Sequence, residues 1–398
     1  MGLLAVDSAL EQLIAWADQA PCLATEWLAA TEALGRVLAE PVLAPMCLPP
    51  WPNSSMDGYA VRSAEVQSGT RLPISQVIYA GRMPEPLAAG SCARIFTGAP
   101  LPEGADAVEM QENVQADGRQ AEFTKAVPLQ QFVRPQGQEC QTGQVMLAAG
   151  ERLTALALGQ IASLGVEQVC VYRPLQVALL STGDELAEPG QALQPGQIYN
   201  SNRYLLKPWL ERLGCLVQDL GVIPDDLVRT RQQLEQLTNV DLILTTGGVS
   251  VGDADFLGKV LREEGELVMW KLALKPGKPF TFGHYRKMPV IGLPGNPTSS
   301  AVTFALLTRP YILRRLGMQQ VRPQAFYVPV NFSIKQAGNR REFLRARLVN
   351  GKAELFSNQC SGVLSSMVWA EGLVVLPEHS VCEVNDLLAF YPLSELLA

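Results

Sequence analysis

From Pro174 onward the chain alternates short apolar runs with longer amphipathic ones, and this alternation restricts the possible folds more than any other feature of the sequence. QVALLSTG, CLVQDLGVI, DLILTTGG and MPVIGLPG read as buried strands, most of them ending in Gly-rich turns. NRYLLKPWLERLG, DLVRTRQQLEQL, FLGKVLREEG and SAVTFALLTRPYILRRLG read as the helices that accompany them. Short apolar strands separated by helices of this length predict a parallel α/β sheet. Such a sheet binds ligands beyond the C-terminal ends of its strands. Those ends read STGDE (181–185), PDD (224–226), TTGGVSVGDAD (245–255) and LPGNP (293–297), with KLALKPGK (271–278) between the last two.

The rest of the 398 residues exceeds one ordinary core, so several domains are expected. Residues 8–37 are predicted helical, with Ser8 and Glu11 as a capping box and an apolar face at Ala9, Leu10, Leu13, Ile14 and Trp16. Prolines 41, 45, 49, 50 and 52 break that pattern, and residues 55–145 carry frequent Gly and Pro between short apolar runs, the mark of a β-rich unit. Residues 151–172 turn helical again and are expected to rejoin the N-terminal helices. Residues near 320–398 return to short strands.

Several function classes are excluded by composition. A net charge of −7 and a pI near 5.2 argue against bulk attraction to nucleic acid or anionic membrane. No apolar run reaches the ~18 residues that would suggest a membrane span, and no secretory leader is read at the N-terminus. The eight cysteines contain no C-x-x-C pair, and the two histidines, His284 and His379, leave little for a triad or a multi-histidine metal site. There is no G-x-G-x-x-G and no Walker A loop.

What remains at the strand ends is carboxylate and lysine. Glu185, Asp225 or Asp226, Asp253 and Asp255 stand on separate turns, and oxygen donors from several turns suit Mg²⁺ beside a phosphate. Asp at a helix start also serves as an N-cap. Residues 174–266 hold 14 acidic and 7 basic residues, whereas 267–341 hold 12 basic and no acidic ones. Lys271, Lys275 and Lys278 surround a Pro-Gly turn, which would make a cationic cradle. An acidic side facing a cationic one fits a phosphorylated anion held with Mg²⁺.

The motifs PPWPNSSMDGYAVR, FTGAPLPEGADAV, LSTGDEL, GQIYNSNR, TTGGVSVGDADF, KLALKPGKPFTFG and GLPGNPTSS, in this order over essentially the whole chain, resemble the MoeA family of molybdopterin molybdenumtransferases, to which the gephyrin E domain also belongs. The resemblance implies a multi-domain α/β plus β protein: an extended helical dimerisation domain (1–48 and 145–173), an inserted β-rich domain (49–144), a three-layer α/β molybdopterin-binding-like domain (174–320) and a C-terminal β-barrel-like domain (321–398). It implies a cytoplasmic homodimer with the cleft shared between subunits. The implied reaction inserts molybdenum from molybdate into adenylylated molybdopterin and releases AMP. By resemblance Asp57, Thr97, Glu185, Asp225 and Asp255 sit in the cleft, the last three holding Mg²⁺. Gly247, Gly248 and Ser250 contact the bound substrate, Lys271, Lys275 and Lys278 hold the anion, Pro294 and Pro297 shape the wall, and Ser299 meets the oxyanion. Arg341 and Ser366 are contributions from the last domain. A molybdopterin-adenylylating enzyme and downstream cofactor-maturation proteins are the implied partners. One departure is that the family's R-x-x-G-E-D reads RPQGQE at 134–139, so Glu139 replaces the final Asp. Adenylylation of molybdopterin and a non-catalytic dimeric scaffold are the alternative readings.

Overall fold

The computed structural model describes residues 2–247 and 256–397. Its centre is a six-stranded sheet in the order 216–223, 176–182, 242–246, 288–293, 279–285, 265–271. The first four strands are parallel, as the alternation predicts. Along Gln176–Thr182 alternate side chains enter two different cores. Val177 and Leu179 join Leu206, Leu210, Leu244 and Ile291 on one face. Ala178 and Leu180 join Ile243, Leu257, Val260 and Val290 on the other. Burial on both faces is why these strands read as unbroken apolar runs.

The last two strands are antiparallel additions that the parallel reading did not contain. Pro279–Tyr285 returns into Met288–Leu293 through a two-residue turn, Arg286–Lys287, with Tyr285 opposite Met288. Arg286 takes the positive φ (54°) that such a turn requires. The pair YRKM carries neither Asn-Gly nor Asp-Gly, so the hairpin had no local signature.

The N-terminal segment departs most from its prediction. The helix spans Val6–Gln19 only; Pro21 follows, and Ala20 before it is extended. Its N-cap is Ala5 with no side-chain cap, so Ser8 and Glu11 form no capping box. Val6, Ala9, Leu10, Leu13 and Ala17 are buried at helical spacing. They pack into the core of the α/β unit, and Leu4 bridges to Leu272 in register with that sheet's edge. Burial of Leu10 and Leu13 contributes about 1.5–3 kcal/mol each. Residues 2–19 thus belong structurally with the α/β domain.

The unit expected to be helical is mostly strand and turn. Thr25–Ala29 pairs antiparallel with Gln168–Tyr172, Val42–Leu43 pairs with Val145–Leu147, and its main helix is Ala155–Ser163, capped by Thr154. Its core is Leu38, Val42, Leu153, Ile161 and Val171 with their neighbours. Gly165, at φ 72°, ends this helix, and Gln168–Tyr172 is a strand where the sequence predicts helix.

The inserted unit carries a six-stranded sheet in the order 107–110, 58–61, 92–95, 71–78, 120–123, 114–116. In the C-terminal unit the strands run 274–275, 341–349, 372–376, 387–392, 326–329, with 352–355 on 341–349. The bridge Val330–Ala353 joins its two ends, which makes it barrel-like. All eight cysteines are free; burial pushes the thiols of Cys92 and Cys215 up to about 12, so these two are inert packing groups.

Candidate active site

At the C-terminal ends of the parallel strands lies a pocket of about 590 Å³. Thr182 ends one strand and Thr246 the next, Gly247 follows, and Gly295 to Pro297 close the far side. Gly247 has φ 77°, and a Cβ there would stand 2.9 Å from the Thr182 carbonyl, so the turn needs glycine to leave the pocket open. Asn200 and Asn202 start the helix Ser201–Arg212. The Asn200 carboxamide oxygen accepts from the Arg203 N–H at 3.3 Å, and Asn202 Nδ2 donates to the Gly295 carbonyl at 2.7 Å.

Each of these side chains keeps one group in reserve. Thr182 Oγ1, Asn200 Nδ2 and Asn202 Oδ1 are buried in the pocket wall with no hydrogen-bond partner. Three such atoms in residues around one cavity leave its wall with hydrogen-bonding capacity that the chain itself does not use. Neither asparagine was among the sequence candidates; their signal was the N-S-N that follows GQIY, which reads locally only as a helix start.

The acidic rim stands beside the pocket. Glu185 lines it, and Asp184 Oδ1 accepts from the Asp225 backbone N–H at 3.1 Å. Burial, and then the charges of Asp184 and Glu185, hold the Asp225 carboxyl above the usual carboxylate range. Asp226 is used differently: its side chain accepts from the Arg229 N–H at 2.7 Å and caps the helix Leu227–Glu235. Asp225 is therefore the member of the pair that faces the other acids, and Asp184 is an acid the sequence reading passed over. Among the described residues no group of three His, Cys, Asp or Glu side chains is placed to hold a metal ion. Gly248, Ser250, Asp253 and Asp255 lie outside the described residues.

The lysine turn sits on the flank of the helix that starts at Pro297. Gly277, at φ 120°, would place a Cβ 2.6 Å from Thr303 Cγ2, so only glycine lets the turn lie this close. Lys271 and Lys278 are exposed at the two sides of the turn, with the Leu272 N–H bonded to the Lys278 carbonyl at 2.8 Å. Lys275 is held by Glu342 at 3.0 and 3.1 Å, so the middle of the expected cradle already has a counter-charge. The helix start offers less to an anion than its motif suggests. Pro297 has no N–H, and the Thr298 N–H goes to the Ser361 carbonyl. Pro294 and Ser299 are buried and do not line the pocket, whereas Pro297 does.

The C-terminal unit reaches the pocket through Gly362. Its loop is pinned by Arg345, which is 1% exposed and donates to Ser366 Oγ at 3.2 Å and to the Phe343 and Cys360 carbonyls at 3.3 Å. Burial lowers that guanidinium to about 10. Ser366 is thus an internal brace, and Arg345 is a residue that sequence reasoning missed. Arg341 is also structural: it grips both oxygens of Asp7 at 3.0 and 2.9 Å and reaches Glu378 at 3.3 Å, tying the N-terminal helix to the last domain.

Asp57 and Thr97 meet on the inserted unit. The Thr97 N–H and hydroxyl donate to Asp57 Oδ1 at 2.7 and 2.8 Å and, with Arg94, hold the carboxyl below its usual range. Within a single chain this pair does not line the pocket. Glu139 is exposed and is held through its backbone N–H to the Leu48 carbonyl.

Comparison with known proteins agrees with this layout. Residues 4–165 match the family described as MoeA N-terminal region (domain I and II), 178–314 match the probable molybdopterin binding domain, and 327–393 match the MoeA C-terminal region (domain IV). A molybdopterin molybdenumtransferase of Haemophilus influenzae is 40% identical over 94% of this chain and 95% of its own. One from Synechococcus elongatus is 35% identical over 94% and 96%. Two solved structures of the molybdopterin biosynthesis protein MoeA from Pyrococcus horikoshii superpose with TM-scores of 0.80 and 0.85 at 30% and 27% identity, each covering 98% of this chain and 99% or 100% of the other. With all three family regions in order and full-length relatives above 30% identity, the chain belongs to the MoeA family of molybdopterin molybdenumtransferases.

Proposed function

We propose that this chain is a transferase that moves molybdenum from molybdate onto adenylylated molybdopterin and releases AMP. The observation that carries the reading is the trio of unpartnered buried atoms, Thr182 Oγ1, Asn200 Nδ2 and Asn202 Oδ1, in a 590 Å³ pocket beside a carboxylate rim. A pterin edge alternates hydrogen-bond donors and acceptors and would satisfy all three.

The carboxylates fit Mg²⁺. Burial first, and then the charges of Asp184 and Glu185, keep Asp225 hard to ionise, a condition that a bound divalent cation would relieve. Mg²⁺ commonly takes one or two carboxylates and leaves other positions to waters and phosphate. Glu185 and Asp225 would hold it, with Asp255 as the third expected ligand; when bound it neutralises the phosphoanhydride. Lys271 and Lys278 would hold the molybdate dianion through charge-assisted bonds, with Lys275 joining once Glu342 yields it.

The full cleft requires two chains. Asp57, oriented by Thr97, would be delivered from the inserted unit of a partner copy, making the working form a homodimer. The substrate is an adenylylated dithiolene, so a molybdopterin-adenylylating enzyme must act before this chain and cofactor-maturation proteins after it. We assign it to the cytoplasm, where such intermediates are handed on. No helix among the described residues is long and apolar enough to cross a membrane.

The test is AMP release from adenylylated molybdopterin with Mg²⁺, with and without molybdate. Molybdate-dependent release that disappears in Glu185→Ala and Lys275→Ala supports the assignment. Tight molybdopterin binding without any AMP release would replace it with a carrier or scaffold role.

A further inference from the structure

A second pocket, of about 540 Å³, opens at the opposite edge of the central sheet and takes no part in the chemistry above. Asp241 and Pro289 bring in the N-terminal ends of two parallel strands, Trp16 the end of the N-terminal helix, and Tyr311 and Arg315 the helix Arg309–Arg315. The length of the strand Gln176–Thr182 puts it about 20 Å from the first pocket.

Three features distinguish it from a packing gap. Tyr311 lines it and is only 1% exposed; its buried hydroxyl lies against the Arg315 guanidinium, and no other group completes it. A hydroxyl with one such neighbour keeps further hydrogen-bonding capacity for a group that enters the cavity. The charge is also unbalanced. Arg173, Lys287 and Arg315 face a single acid, Asp241, which already accepts from Arg173 at 2.7 and 2.8 Å and from the Gln176 N–H at 2.8 Å. Lys287 and Arg315 remain as net positive charge, and Arg315 is 8% exposed with one nitrogen donating to the Pro21 carbonyl at 3.2 Å. The third feature is a rigid apolar wall: Trp16 stacks on Phe282 with centroids 4.2 Å apart, beside Met288 and Pro289.

We infer that this pocket is a binding site for a small organic anion, a carboxylate or monophosphate carried on an aromatic body. The charged group meets Arg315, Lys287 and the Tyr311 hydroxyl, and the body lies against Trp16 and Pro289. Guanidinium and ammonium donors converging with a hydroxyl suit an oxyanion, and the apolar wall selects against bare inorganic ions.

The probes are phenyl phosphate and benzoate, with neutral benzamide as control, titrated into the full-length protein by calorimetry. Saturable binding of at least one anion is expected, with none for benzamide. Loss of one charge-assisted bond should weaken it about tenfold in Lys287→Ala and in Tyr311→Phe. Glu185→Gln, at the first pocket, should leave it unchanged. Lys287 is exposed and Tyr311→Phe keeps the ring, so both variants test the site with the fold retained. The stronger of the two anions identifies the headgroup. Absence of saturable binding by either anion overturns the inference. Equal affinity in the wild-type protein, Lys287→Ala and Tyr311→Phe also overturns it, because the anion then binds elsewhere.

Discussion

Removing the Ser366 hydroxyl tests how the last domain is braced against the active pocket. Ser366 is fully buried; it accepts from Arg345 Nε at 3.2 Å and donates to the Val363 carbonyl at 2.6 Å. In Ser366→Ala the Nε–H of a buried cation loses its acceptor, which costs about 1.5–3 kcal/mol. The Val363 carbonyl keeps the Thr298 hydroxyl at 3.1 Å, so its share is smaller, and the sum is about 2–3 kcal/mol. Calorimetric unfolding of a multi-domain chain resolves separate transitions. For a domain of about 80 residues this loss lowers its transition by about 10–20 °C. Ser366→Thr, which keeps a hydroxyl, should recover part of the shift. The pocket should loosen too, since residues 360–363 carry Gly362. A stability loss below ~0.5 kcal/mol, far under the cost of an unmet buried charge donor, would refute the account, since the carbonyls of Phe343 and Cys360 would then suffice to hold Arg345.

Further outcomes follow from the same geometry. Because Asp225 is held above its ordinary value of 3.8, the folded chain binds that proton more tightly than the unfolded chain, and stability falls as pH rises from 3.8 through the folded value. Asp225→Asn should remove that fall in a series of melting curves and abolish stabilisation by added Mg²⁺. Asp226→Ala, by contrast, should cost about 0.5–2 kcal/mol of stability through its lost cap and leave the Mg²⁺ response intact, as the same curves would record. Gly247→Ala forces an L side chain into φ 77° against the Thr182 carbonyl; molybdopterin binding by fluorescence should drop while far-UV circular dichroism is retained. Leu13→Ala opens a cavity under the N-terminal helix and should cost about 2–5 kcal/mol in denaturant unfolding of the α/β domain.

Some of this protein could be read without a structure. The parallel strands were legible because burial on both faces leaves uninterrupted apolar runs, and the ligand edge was legible because Gly-rich turns collect at the C-terminal strand ends. The turns STGDE, TTGG and LPGNP at those ends carry Glu185, Gly247 and Pro297, which line the first pocket. The antiparallel strand pair was not legible, since its turn relies on Arg286 tolerating a positive φ without any residue that advertises one. Nor was the true extent of the first helix: Ser8 and Glu11 imitate a cap at a place where tertiary packing begins the helix earlier.

Local sequence determined the strands and helices of the α/β unit and which edge of its sheet carries the Gly-rich turns, because those depend on periodicity and on glycine's conformational freedom. Tertiary structure alone decided the duties of individual polar groups. It gave Asp226 to a helix cap and Asp225 to the acid cluster, paired Lys275 with Glu342, and turned Arg341 and Ser366 into braces. It also left Asn200 and Asn202 each with an unused polar group at a cavity wall. A side chain's type states what bonds it can make, but which of them are already made depends on neighbours up to 334 residues away in sequence, as between Arg341 and Asp7.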